Sequence, residues 1–263
     1  MTNLLRAAHI GPALAVTILA AALAIAHRLP AGQAVLVVAA VLAGQLSIGW
    51  SNDLIDRSRD RSVGRADKPL ATGALSVRLV TAACASAVVA AVVLSLLCGL
   101  VAGLVHLVCV AAGWAYNLGL KRTVWSWVPY AVAFGGLTIF VSLATPAGAV
   151  PPLWQPAVGA MLGVGAHLVN ALPDLADDEA TGVRGLPHRL GARLTRLLSV
   201  VVLVAASVVV VWASDQVRLP IRIAVLLLVA ALAAIALLTR GRTPFRAAIA
   251  IAVVDALLLV LAQ

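Results

Sequence analysis

The residues best suited to chemistry lie in Asn52-Asp53-Leu54-Ile55-Asp56-Arg57-Ser58-Arg59-Asp60, at the end of a long apolar run. Asn52, Asp56 and Asp60 are spaced i, i+4, i+8, so on a helix they share one face. Their donors are all oxygens, which suits Mg²⁺ rather than zinc, and an acidic face at a bilayer edge is costly without cations. A second stretch repeats the pattern. Asn170, Asp174 and Asp178 follow another apolar run, each 118 residues after its counterpart. Two facing sets of this kind, with Arg and Lys nearby, suit a diphosphate bridged by Mg²⁺, where charge develops if a carbon–oxygen bond ionises. The structural alternative is that these acids cap helices or pair with loop arginines.

The same offset joins Gly64 to Gly182, Pro69 to Pro187, Gly73 to Gly191 and Arg78 to Arg196. Turn and polar residues rarely align by chance in a chain this rich in Ala, Val and Leu. The pattern therefore reads as a parallel internal duplication. Repeat one covers about residues 1–120, repeat two about 121–240, and an extra helix about 244–262.

The elements that must position these acids are apolar. Of 263 residues, 63% are hydrophobic and 11% charged, with a mean hydropathy of +1.07. That composition predicts an all-α integral membrane protein in a lipid bilayer. Nine runs, each about 17–25 residues long, could span it: 10–27, 33–52, 79–98, 100–118, 125–145, 155–173, 195–213, 220–239 and 244–262. Arg6 before the first run resembles a signal peptide, but eight similar runs follow, so the first is read as a membrane helix. With nine spans, sixteen of the nineteen Lys and Arg fall on the side holding the N-terminus and both acidic loops. The positive-inside rule then makes that side cytoplasmic. The same rule accounts for the net charge of +9; aromatics interleaved for base stacking are lacking, so no nucleic-acid partner is expected. Cys84, Cys98 and Cys109 lie in apolar runs without metal-type spacing and are read as packing residues, as are His106 and His167.

Asn52-Asp53-x-x-Asp56-x-x-x-Asp60 and Asp174-x-x-x-Asp178 resemble the paired signatures of the UbiA superfamily of intramembrane prenyltransferases. The segments Arg65…Lys68-Pro69-Leu70…Gly73 and Gly182…Leu186-Pro187…Leu190-Gly191 extend the similarity over essentially the whole chain. The resemblance implies nine helices in a ring around a central cavity, two Mg²⁺ ions, an isoprenyl diphosphate donor and a side opening to lipid. It assigns metal binding to Asn52, Asp56, Asp60, Asn170, Asp174 and Asp178. Lys121, in Tyr116-x-x-x-x-Lys121, matches a Tyr/Lys element that is one residue shorter in the family. Lys121 and Arg65 would grip the diphosphate. Tyr116, Lys68, Arg184, Arg6 and Trp50 complete the expected substrate contacts, Trp50 through its ring face toward a cation.

The expected activity is Mg²⁺-dependent transfer of an isoprenyl group to a lipophilic, aromatic acceptor within the membrane, with Asp56, Asp60, Asp174, Asp178 and Lys121 catalytic. Two other readings stay open. A terpene cyclase of the same superfamily would use the donor's own double bond as nucleophile. A non-catalytic prenyl-lipid or quinone-binding protein, or a transporter, would keep the architecture without turnover.

Overall fold

The computed structural model describes residues 2–173, 175, 182–216 and 218–263. Asp174 and Asp178 lie outside the described residues. Among those described there are helices and no strand: α1 (Thr2–Ala7), α2 (Ile10–Ala26), α3 (Ala31–Ser62), α4 (Pro69–Thr72), α5 (Val77–Leu97), α6 (Leu100–Leu118), a 3₁₀ turn (Leu120–Arg122), α7 (Val128–Leu143), α8 (Trp154–Ala171), α9 (Leu186–Ala213), α10 (Leu219–Leu238) and α11 (Thr243–Leu261). Every apolar run falls on one of these helices. Six of them, α3, α5, α6, α9, α10 and α11, are long and apolar enough to cross a membrane; α2 and α7 are shorter apolar helices.

The chain separates into two compact units, one of Met1–Gly119 with Phe140–Ala149, the other of Leu120–Ile139 with Val150–Gln263. In the first, α3 is the central element, packed against α5, α2 and α6. In the second, α9 packs against α8, α10 and α11, and α11 also meets α8. The two core histidines are buried and hydrogen-bonded within their own units. His106 bonds the Ser95 hydroxyl and stacks on Phe140; His167 bonds the Ser126 hydroxyl.

The helix that matters most is α3, which has 32 residues and runs ten residues past the expected end of its apolar run. Arg, Asp and Ser beyond residue 52 lower hydropathy without breaking a helix, so the whole acidic motif stays helical. Gly64 stops it. At φ 70° it adopts the left-handed conformation, and the Gly64 and Arg65 amides bond the Arg61 and Asp60 carbonyls. That is the Schellman arrangement, placed where Asp60 needs a fixed backbone.

Close packing fixes α3 at its middle. A Cβ on Gly49 would sit 2.0 Å from the Ala8 carbonyl oxygen, so only glycine lets the α1–α2 junction approach this closely. At the next residue, the Trp50 indole N–H donates to the Leu4 carbonyl at 3.0 Å, and its ring packs among Ala7, Ala8, Leu70, Val80, Cys84 and Ala87. Gly49→Ala should therefore lower stability by about 1–3 kcal/mol, as overpacking against backbone does. Gly11→Ala, which meets nothing within 4 Å, should be close to neutral. Thermal unfolding of the two variants in detergent checks the contrast.

Candidate functional site

The last three turns of α3 carry the site. Asp56 and Asp60 are 3% and 2% exposed, on one helix face, as the spacing predicts. Asn52 sits one turn before them, and its amide nitrogen donates to Asp56 Oδ2 at 3.2 Å and to Asn117 Oδ1 at 3.1 Å. Asn117 in turn donates to the Ile48 carbonyl at 2.9 Å and to the Ser51 hydroxyl at 2.8 Å. This side chain on α6 thereby clamps the acidic face of α3. Sequence reasoning passed over Asn117, though an amide inside an apolar run was the available signal.

Cations meet this face directly. One Arg59 nitrogen, Nη2, lies 3.3 Å from Asp56 Oδ2 and 3.3 Å from Asp60 Oδ1. On the next face of α3, Asp53 is 1% exposed and accepts from Lys68 Nζ at 2.7 Å. His9 Nε2 is 3.0 Å from the same carboxylate oxygen and 2.8 Å from Lys68 Nζ. His9 adopts left-handed backbone, φ 52°, at the junction of α1 and α2, which aims its ring at Asp53. Nothing in the sequence announces that conformation, because a non-glycine residue rarely adopts it.

The other expected site residues are distributed as follows. The Trp50 indole N–H and the Lys68 ammonium each have a protein partner, the Leu4 carbonyl and the Asp53 carboxylate. Arg65 is exposed and makes a two-pronged pair with Asp67, 2.8 Å for each bond; its guanidinium holds the Asp67 carboxyl down to about 2. An exposed pair of this kind is weak and exchangeable. Arg6 is exposed in the last turn of α1. Tyr116 is half-buried in the last turn of α6, and Lys121 is buried on the 3₁₀ turn. Asn170 is exposed in the last turn of α8, and Arg184 is exposed before α9.

The donor set present suits a hard divalent cation: two buried carboxylates on one face and an amide one turn away, all oxygen donors. Asn52 would ligate through its carbonyl oxygen, while its nitrogen now faces Asp56. Among the described residues no group of three or more His, Cys, Asp or Glu forms a metal cluster. The first acidic stretch alone therefore supplies part of a site.

Comparison with known proteins now adds the lineage. The model of the UbiA prenyltransferase family matches residues 13–259. The chain belongs to the UbiA prenyltransferase family. With that and its apolar helices, it is an integral membrane protein. The bacteriochlorophyll synthase 33 kDa chain of Cereibacter sphaeroides is 30% identical over 182 residues, 65% of this chain and 60% of that relative's length. Among solved UbiA homologues, the apo structure from Aeropyrum pernix K1 has TM-score 0.74 and 19% identity, covering 92% of this chain and 96% of its own. The homologue from Archaeoglobus fulgidus bound to GPP and Mg²⁺ has TM-score 0.74 and 18% identity, covering 99% and 98%. This UbiA chain shares their fold.

The cluster beside the acidic face makes a stability prediction. Lys68→Gln leaves a buried Asp53 carboxylate short of its cation and should cost about 3 kcal/mol. Adding Asp53→Asn removes the stranded charge, so the double variant should be more stable than Lys68→Gln alone. Single-variant losses that simply add up in the double variant would show that the two residues are not coupled.

Proposed function

We propose that this protein is a Mg²⁺-dependent membrane prenyltransferase, moving an isoprenyl group from its diphosphate to a lipophilic, aromatic acceptor. The observation that carries the proposal is the burial of Asp56 and Asp60 on one face of α3, beside Asn52. Buried acids at a membrane helix end are costly, and a phosphate site that recruits divalent cations is a functional reason to keep them. The Archaeoglobus fulgidus homologue is bound to GPP and Mg²⁺, and the Cereibacter relative is named as a chain of bacteriochlorophyll synthase. Both names are consistent with this reading.

In this proposal metal binding is assigned to Asn52, Asp56 and Asp60 of the first repeat and to Asn170, Asp174 and Asp178 of the second. Two ions are assigned, matching two acidic sets, in a ring of nine helices whose N-terminus and acidic loops face the cytoplasm. Mg²⁺ would supply the positive charge that a departing diphosphate needs. Lys121, Arg65 and Arg184 bind diphosphate oxygens, and Lys68, Tyr116, Arg6 and Trp50 complete the substrate contacts. The allylic carbon–oxygen bond then breaks with its electron pair leaving on the diphosphate. Apolar helices exclude water from the resulting cation. The acceptor supplies the electron pair for the new bond and releases a proton.

The test is incubation of purified protein with Mg²⁺ and radiolabelled isoprenyl diphosphates of several lengths, with and without membrane lipid extract. Label should move to a new lipid only when extract is present, and Asp56→Asn should slow this by about 100-fold or more. Hydrocarbon or alcohol formed from donor alone would make the protein a cyclase. Donor binding without turnover would leave a binding protein.

A further inference from the structure

We propose that Arg59 is a built-in counter-ion for the acidic face, occupying the place of the divalent cation until the cation displaces it. The inference rests on the proposed function, since it takes Asp56 and Asp60 as metal ligands. Two carboxylates one helical turn apart repel each other, and burial removes the water that would screen them. Before metal loading, some positive charge must lie between them. The structure puts Arg59 there. Its Nη2 contacts Asp56 Oδ2 and Asp60 Oδ1 at the same 3.3 Å.

The engagement is of an exchangeable kind. One nitrogen is shared between two carboxylates at long distance, where the strong arrangement of a guanidinium is two short parallel bonds to one carboxylate. Arg59 Nε is buried without a partner, so the group is only partly satisfied where it sits. The side chain keeps 21% exposure, which leaves it a way out toward water. The neighbouring arginines on α3 are placed differently. Arg61 Nε donates to the Ala71 carbonyl at 3.3 Å, and neither Arg57 nor Arg61 has an ion pair with the acids among the described contacts.

A cation held by Asp56 and Asp60 and a guanidinium bonded to the same carboxylates exclude one another. Metal affinity is then reduced by the fraction of molecules in which Arg59 is seated. When a diphosphate arrives with the metal, the displaced guanidinium gains a new anionic partner. Metal and diphosphate should therefore load together rather than separately.

Manganese binding to detergent-purified protein, followed by electron paramagnetic resonance, tests this with and without inorganic diphosphate. Arg59→Gln should tighten Mn²⁺ binding without diphosphate by about fivefold and shrink the enhancement that diphosphate produces. Arg57→Gln removes the same charge two residues away and should change both much less. The melting temperature separates this role from a merely structural one: Arg59→Gln should melt lower than wild type without metal and equally with saturating Mn²⁺. Should Arg59→Gln fail to fold, Arg59→Lys should bind the ion at least as tightly as wild type and give a smaller diphosphate enhancement. The inference is overturned if Arg59→Gln binds the ion no more tightly than Arg57→Gln, or if it melts lower by the same amount with and without metal. The underlying assignment of the site fails separately, if wild type binds no ion or if Asp56→Asn binds it undiminished.

Discussion

Two buried carboxylates at the end of an apolar helix set the terms for everything around them. Asp56 and Asp60 are almost without solvent, in a chain with few other charges, and a buried ionised carboxylate is costly unless hydrogen bonds and a cation accompany it. Arg59 supplies the cation within α3, and the Asn52 amide donates to Asp56. The cost of assembling this face is also what fits it for a divalent ion, because an ion can replace a loosely held guanidinium without any change in the fold.

The rest of the first unit keeps α3 in position to carry that face. Asn117 links α6 to the backbone and side chains around Ser51 and Asn52. Lys68 and His9 converge on Asp53 from the segment after α3 and from the α1–α2 junction. The Gly49 approach and the Trp50 indole pin the same junction one turn earlier. These contacts act on positions 48–53, one to three turns before the acids, so the helix is held where the site begins and ends at Gly64 just after it.

Much of this was legible in the sequence, for identifiable reasons. The i, i+4, i+8 spacing placed Asn52, Asp56 and Asp60 on one face because helical periodicity leaves no alternative once the segment is helical. The glycines paired by the 118-residue offset behave alike: Gly64 and Gly182 have φ 70° and 77°, Gly73 and Gly191 have φ 79° and 73°. Recurrent turn residues thus announced recurrent backbone geometry. What hydropathy missed was the continuation of α3 through ten polar residues, since an apolar run marks the membrane portion of a helix and not its end. His9 was missed because a left-handed histidine has no sequence signature. The protein partners of the Lys68 ammonium and the Trp50 indole N–H were not legible either, because they lie 15 and 46 residues away in the chain.

As proposed, the acidic face of α3 is a cation-dependent diphosphate site. Equilibrium binding of an unreactive thiolodiphosphate analogue of an isoprenyl donor to purified protein tests it without requiring the acceptor. Binding should need Mg²⁺, disappear with a chelator, and be lost in Asp56→Asn while that variant remains folded. Binding that persists without divalent cations, or that Asp56→Asn leaves intact, would contradict it.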